Sequence, residues 1–113
     1  MLARSSVLAV LAVLAAAPAA QAKNCNVQSD AEKLGASYVT SLTVKKITCA
    51  TGKSLVRSYH SCRKTRGGIK GRCPSFQGWS CTERRDTIKT QFSAKATCTK
   101  GARRFVQTYS QFT

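Results

Sequence analysis

The sequence predicts an α+β fold, a single small domain with one main helix packed on an antiparallel sheet of about four strands and stapled by disulfides. Most segments are rich in β-forming residues that alternate with polar ones, whereas one segment has the three- and four-residue spacing of a helix. The chain has 113 residues and six cysteines. A domain of this size buries a small core, and covalent cross-links are the usual support for it.

The first 22 residues have the order of a signal peptide. Arg4 supplies a positive charge, the apolar run Val7–Ala17 follows, and small residues precede an expected cleavage after Ala22. The apolar run is shorter than the roughly 20 residues of a bilayer span. We therefore predict a signal peptide at 1–22, a disulfide-stabilised domain at 23–113, and a secreted, extracellular monomer without a transmembrane anchor.

The start of the mature chain carries a capping pattern. Ser29-Asp30-Ala31-Glu32 predicts a short helix that ends at Gly35. The following segment, Ala36–Cys49, is rich in Tyr, Val, Thr, Leu and Ile and predicts the first strand. Its alternation is interrupted at Lys45-Lys46, which indicates a bend or bulge there.

The main helix is predicted over Thr51–Lys64. Leu55, Tyr59 and Cys62 are spaced four and three residues apart and form one apolar stripe. The next segment, Lys64–Arg72, holds three glycines and no acid, which predicts a mobile loop.

Three further strands are predicted, over Trp79–Arg84, Gln91–Thr99 and Arg103–Phe112. A tight turn at Lys100-Gly101 would place Ala96 beside Phe105 and Phe92 beside Tyr109.

Six cysteines allow fifteen pairings, and the sequence alone does not choose among them. Cys62 with Cys73 closes a short glycine-rich loop, and Cys81 and Cys98 are symmetric about a hairpin centred near Lys89, which leaves Cys25 with Cys49. The main rival joins Cys49 to Cys81 or Cys98. We predict no metal site and no cofactor, because His60 is the only histidine and no Cys-x-x-Cys pair is present.

Positive charge is the second strong feature. The net charge is +15, and loss of Arg4 with the signal would leave +14, above the magnitude of ~2–8 typical of a small domain. Solubility alone could explain such an excess, but its field favours anionic partners. We predict a non-enzymatic protein that binds anionic polymers or surfaces, among them cell-envelope polymers or, without sequence specificity, nucleic acid. The predicted contact residues are Arg63, Lys64, Arg66, Lys70 and Arg72, followed by Arg84, Arg85, Arg103 and Arg104.

Three motifs occur in a recognisable order. Cys49 opens the helix, Gly78-Trp79-Ser80-Cys81 lies in a strand, and Cys98-Thr99-Lys100-Gly101 precedes the last strand. This order resembles small secreted cysteine-containing proteins of high-GC actinobacteria. The resemblance implies an α+β domain with one main helix on an antiparallel sheet, and it brings no catalytic residue.

Two other functions remain as alternatives. A secreted ribonuclease-like hydrolase would use Glu83 as base, His60 as acid and Arg84, Arg85 or Arg104 on phosphate. A proteinase inhibitor would present the Cys62–Cys73 loop as bait. Against the first, we favour His60 as a surface residue and Glu83 as the partner of a neighbouring arginine.

A set of aromatic residues also has two interpretations. The residues could stack bases on the protein surface or form the core, and we favour the core. They are Trp79, Phe92, Phe105, Tyr109 and Phe112.

Overall fold

The structure is a computed structural model that describes residues 21–113. The predicted signal peptide lies outside the described residues except for Gln21 and Ala22. Within residues 21–113, no helix is both long and apolar enough to cross a membrane.

The described residues form one antiparallel sheet and one α-helix, which confirms the α+β class. The helix α1 spans Cys49–Gly67. The strand order across the sheet is β1-β2-β6-β5-β4-β3. The strands are β1 (Lys23–Cys25), β2 (Tyr38–Lys45), β3 (Ser75–Phe76), β4 (Trp79–Ile88), β5 (Gln91–Lys100) and β6 (Arg103–Phe112).

The sheet has six strands rather than the four expected. The additional strands, β1 and β3, have three and two residues and pair with the outer sides of β2 and β4. Segments this short contain no measurable alternation, so the sequence pattern does not reveal them. The four predicted strands correspond to β2, β4, β5 and β6.

Helix α1 is longer than predicted at both ends. Its N-cap is Thr48, whose hydroxyl accepts a hydrogen bond from the Thr51 amide at 3.1 Å. Its C-cap is Gly68, which has φ 69° and donates its N–H to the Lys64 carbonyl. The mobile loop expected at Lys64–Arg72 is therefore wrong, because its first part is helical and a 3₁₀ turn follows over Gly68–Lys70.

The short helix predicted before Gly35 is also wrong. The segment contains only a 3₁₀ turn, Gln28–Asp30, in which Ser29 lies inside the turn instead of capping it. Asn26 accepts the Gln28 amide at 3.0 Å, and Asp30 accepts Lys53 of the helix at 2.6 Å. Of the residues that suggested a cap, Asp30 therefore ties this segment to α1, and Asn26 stabilises the turn that precedes it.

The two hairpins differ in how well their register is predicted. In the first, Cys81 is opposite Cys98 and Ile88 is opposite Gln91, as symmetry about Lys89 predicts. In the second, the turn is Gly101-Ala102 rather than Lys100-Gly101, with φ 58° at Gly101. Phe105 is consequently opposite Cys98 and Tyr109 is opposite Ala94, two residues away from the predicted register. The rings of Phe92 and Tyr109 still pack together on the expected face, with centroids 5.8 Å apart.

The chain bends at Lys46, as the interrupted alternation predicts, and the strand also has a bulge at another place. The bulge in β2 falls between Val39 and Ser41. Lys46 follows the end of the strand in the left-handed region, with φ 59°. This conformation turns the chain into α1.

The three disulfides are Cys25–Cys49, Cys62–Cys73 and Cys81–Cys98, the pairs that loop length and symmetry favour. The first ties β1 to the start of α1, and the second ties the end of α1 to the segment before β3. The third links directly opposite residues of β4 and β5. The described residues contain no free cysteine.

The core lies between α1 and one face of the sheet. Buried residues alternate along the strands, with Leu42 and Val44 in β2 and Phe105 and Tyr109 in β6. Gly52 of α1 is buried against β2, where an added Cβ would lie 2.6 Å from Val44 Cγ1. The helix backbone therefore approaches the sheet closely at its first turn, and it covers this face only.

Candidate anion-binding face

The opposite face of the sheet, which we call the open face, has no helix on it. Its residues alternate with the buried ones along β2, β4, β5 and β6 and are exposed or half-buried. Most of them carry hydroxyl groups. They are Ser41, Thr43, Ser80, Thr82, Ser93, Thr97, Thr99, Thr108 and Ser110.

Hydrogen bonds between strands hold several of these hydroxyl groups in place. Thr108 of β6 bonds through its hydroxyl to Thr40 at 2.7 Å and to Ser41 at 2.5 Å. Ser93 and Ser110 are 3.2 Å apart through their hydroxyl oxygens. The polar surface is thus built on paired strands rather than on loops, which favours a fixed geometry.

Four cations lie on this face as two cross-strand pairs. Lys45 of β2 is opposite Arg104 of β6, and Arg84 of β4 is opposite Lys95 of β5. Directly opposite like charges destabilise a sheet. None of the four side chains makes a hydrogen bond or an ion pair within residues 21–113. Their repulsion is therefore not relieved by the described part of the protein.

The two pairs lie on a diagonal across the sheet. Residues four apart on a strand are ~13 Å apart, and adjacent strands are ~4.8 Å apart. Arg104 is opposite Thr99, four residues from Lys95 along β5. The centres of the pairs are hence ~16 Å apart. The one acid on the strands of this face is Asp86, which stands two residues beyond Arg84. Glu32, from the segment before β2, lies beside Tyr38, and hydrogen bonding to it raises the pKa of the Tyr38 hydroxyl.

Two shallow depressions follow this diagonal. One of about 520 Å³ is lined by Arg84, Lys95 and Thr108. The other, of about 550 Å³, is lined by Lys45, Arg104 and again Lys95, and by Gln21 and Ala22, which the predicted cleavage would remove. Lys95 therefore stands between two concavities with cations on both sides, where anionic groups of one ligand could lie.

The structure removes Arg63 from the predicted contact residues. This side chain is completely buried between α1 and the sheet. It donates to His60 Nδ1 at 2.7 Å, to the Ile69 carbonyl at 2.8 Å and to Gln111 Oε1 at 2.6 Å. The guanidinium also lies 4.9 Å from the Tyr109 ring centroid. Arg63 is hence a structural residue, and its prediction as a surface contact is wrong.

Arg85 is also engaged inside the fold. It donates to Glu83 Oε2 at 2.6 Å and to the carbonyls of Lys70 and Gly71 at 2.7 and 2.5 Å. It stacks on Phe92 with a centroid distance of 4.1 Å. Its predicted role as a contact for anions is therefore wrong, because all of its donors point inward.

The other predicted cations are exposed but do not form one surface. Lys64, Arg66, Lys70 and Arg72 cluster at the end of α1 and in the segment after it. Arg72 is partly engaged by Glu83 at 3.4 Å, and Lys64 donates to the Gly35 carbonyl. Arg103 lies beside the β5–β6 turn, and only Arg84 and Arg104 lie on the open face.

Sequence reasoning missed Lys45 and Lys95 as members of this face. The pattern that could have identified them is the set of residues on the polar side of each strand. Lys95 lies between Ser93 and Thr97 on the polar side of β5, and neighbouring strands repeat this hydroxyl-rich pattern. Strand order is required to place Lys45 opposite Arg104, and a single sequence does not contain it.

His60 and Glu83 do not form an accessible acid–base pair. His60 is completely buried, so its expected surface position is wrong. Its Nε2 bonds Gln107 Oε1 at 2.7 Å, while Nδ1 accepts from Arg63. Burial lowers the pKa of His60 to about 3, and the Arg63 charge acts in the same direction. A neutral imidazole with both nitrogens occupied can neither reach nor protonate a phosphate ester.

Glu83 is paired with arginine, as expected. Its carboxylate accepts Arg85 at 2.6 Å, Tyr59 at 3.0 Å and the Tyr109 hydroxyl. Burial raises the pKa of both tyrosines, and the Glu83 charge adds to this effect. Glu83 therefore holds α1 and the sheet together.

Four of the five aromatic residues lie in the core, as favoured, and Phe112 is the exception. Trp79, Phe92, Phe105 and Tyr109 are buried in the core. Phe112 is 49% exposed and packs edge-on against Tyr38, which is 38% exposed, with ring centroids 5.5 Å apart.

The Cys62–Cys73 segment does not form an extended bait loop. Its first part belongs to α1, and a 3₁₀ turn follows. An added Cβ at Gly71 would lie 1.9 Å from the Arg63 carbonyl oxygen, so this segment packs tightly on the helix end.

The described residues contain no group of three or more His, Cys, Asp or Glu side chains that could hold a metal ion. Comparisons with protein-family models, curated proteins and solved structures give no match to this chain.

Proposed function

We propose that this protein binds an anionic polymer along the open face of its sheet, outside the cell and without catalysis. The proposal is carried by two cross-strand pairs of cations, Lys45 with Arg104 and Arg84 with Lys95. None of these four side chains forms an ion pair with an acid among the described residues. An anion placed between the members of a pair would attract both of them, and this attraction would offset their mutual repulsion.

The layout favours a polymer over a small anion. The two pairs are ~16 Å apart on a diagonal, so one small anion reaches a single pair. Hydroxyl groups of Thr97 and Thr99 lie between the pairs and can donate to further oxygens of a ligand. A chain with repeated anionic groups would use both pairs and the polar surface between them.

The three disulfides support an oxidising location, since such cross-links persist outside the reducing cytosol. We therefore place the function in the extracellular space, as expected for the secreted actinobacterial proteins that the motifs resemble. The polymer would be one that this space contains, such as an envelope polymer, or released nucleic acid.

The test compares two variants that lose the same charge. The first replaces the four open-face cations, Lys45, Arg84, Lys95 and Arg104, by Gln. The second replaces the exposed cluster at the end of α1, Lys64, Arg66, Lys70 and Arg72, in the same way. Each variant loses four positive charges, so the comparison separates location from net charge.

Binding of heparin, duplex DNA and a teichoic-type polymer is measured at two or more salt concentrations. The salt slope is the slope of log affinity against log salt concentration, and each lost phosphate contact should reduce its magnitude by about 0.7–0.9. The open-face variant should hence lose ~3 from its slope for a nucleic acid, whereas the helix-end variant should lose little. Equal losses would show diffuse charge instead of a face, and a larger loss in the helix-end variant would place binding there.

The hydrolase alternative has its own test. Incubation with RNA, with and without His60→Ala, would reveal cleavage that depends on this residue. Such cleavage would contradict the structural role of His60 and replace the binding proposal.

A further inference from the structure

An exposed aromatic pair lies on the open face, at the end away from Lys45 and Arg104. Tyr38 is opposite Ser110, and Phe112 is opposite Gln91, which in turn is opposite Ile88. Tyr38 and Phe112 meet edge to face, with an angle of 72° between their rings. Both remain between one third and one half exposed, unlike Trp79, Phe92, Phe105 and Tyr109.

The pair is close to the Arg84 and Lys95 pair. Ser110 and Thr108 are two residues apart on β6, and they face Tyr38 and Lys95 on the neighbouring strands. Two residues along a strand are ~7 Å and two strand spacings are ~10 Å, which gives ~12 Å between Tyr38 and Lys95. The serine pair Ser93 and Ser110 lies between them. One short segment of polymer can hence contact the rings and the cations together.

This arrangement combines flat apolar rings with cations on one rigid, polar surface. A ligand that uses it fully needs planar rings and phosphate or similar anions in alternation. Bases stack on exposed aromatic side chains while their phosphates bind cations, and single strands leave the bases accessible. In a duplex the bases are already stacked inside, so only the cations would be used.

We propose that the ligand of the open face is single-stranded nucleic acid, with a base stacked on Tyr38 and Phe112 and neighbouring phosphates on Lys95 and Arg84. This inference rests on the proposed function and names its ligand. Asp86 is the acid nearest to Arg84 on this face, and its position two residues away favours a phosphate on the Lys95 side of the pair.

The experiment uses two probes with the same phosphates, a labelled single-stranded oligonucleotide and an abasic oligonucleotide of equal length. Affinities are measured by fluorescence anisotropy at low salt for the native protein and for the double variant Tyr38→Ala, Phe112→Ala. Ile88→Ala is the control, since Ile88 is 61% exposed at the same end of the face but has no ring. Thermal melting verifies that each variant is folded.

The native protein should bind the oligonucleotide about fivefold to a hundredfold more tightly than the abasic probe, the range expected for stacking one base. The double variant should bind both probes equally, and Ile88→Ala should keep the preference. Equal binding of both probes by the native protein would overturn base stacking and leave polymer binding intact.

Heparin provides a second decision. If the affinity of the double variant for heparin falls as strongly as its affinity for the oligonucleotide, the rings stack on sugars and the nucleic-acid inference is overturned. If the native protein binds none of these polyanions at low salt, the proposed function itself is overturned.

Discussion

The stability of the protein should fall in acid because of His60. In the folded protein this imidazole stays neutral until about pH 3, whereas in the unfolded chain it takes up a proton near pH 6.5. Between these values the unfolded state binds more protons, so the free energy of unfolding decreases as the pH falls. One titrating group can lower the free energy of unfolding by at most about 1.4 kcal/mol for each pH unit.

The variant His60→Asn isolates this contribution. The amide oxygen can accept from Arg63 Nε as His60 Nδ1 does, but it does not titrate. Between pH 7.5 and 4.5 the native protein should lose about 2.6 kcal/mol more than the variant, from the two pKa values of His60. Contributions of Asp30 and the other carboxylates are common to both proteins and cancel.

The measurement is urea unfolding at both pH values with the disulfides intact, followed by the fluorescence of Trp79, which is the only tryptophan and is 4% exposed. The variant should be less stable at pH 7.5, because Gln107 loses its bond to the ring. Parallel pH profiles for the two proteins would refute the reasoning and show that His60 is protonated or exposed.

Three further outcomes are expected. Stability should also decrease above about pH 10, because the raised pKa values of Tyr59 and Tyr109 keep them protonated in the folded state while the unfolded tyrosines ionise; in a Tyr38→Phe variant, which removes the one exposed tyrosine, phenolate absorbance should rise together with unfolding, and a rise well before it would contradict their burial. Gly35→Ala should lower the free energy of unfolding by at least about 2 kcal/mol, since Gly35 has φ 102° and the new Cβ would lie 2.7 Å from His60 Cβ. Gly101→Ala, at φ 58° with no atom within 4 Å of the new Cβ, should be milder, and equal losses would exclude crowding as the cause. Replacing both Cys81 and Cys98 by Ala should reduce stability by about 2–5 kcal/mol, and a melting temperature unchanged from the parent would show that this bond is unimportant.

The sequence predicts the central architecture because those elements have strong local periodicity. The alternation in β5 and the stripe of Leu55, Tyr59 and Cys62 in α1 are repeated patterns. The symmetry of Cys81 and Cys98 about Lys89 also fixes the first hairpin without tertiary information. The short strands β1 and β3 depend on pairing with distant segments, so no local pattern represents them.

The candidate site is predicted less well for a related reason. A lysine or arginine has the same local signature whether it faces solvent or bonds inside the fold. Arg63 and Arg85 are engaged inside the fold because Gln111 and the carbonyls of Ile69 and Lys70 accept from them, and these partners come from other strands and turns. The grouping of Lys45 with Arg104 likewise depends on β2 pairing with β6, which are far apart in the sequence.

The three disulfides join the first cysteine of the chain to the second, the third to the fourth and the fifth to the sixth, across 24, 11 and 17 residues. In a polypeptide that enters an oxidising compartment with its N-terminus first, every cysteine therefore meets its native partner before any later cysteine arrives. An oxidase that joins thiols in their order of emergence would produce the native set directly. Folding during export would then proceed without disulfide isomerisation, while refolding of the reduced full-length chain has to select among fifteen pairings.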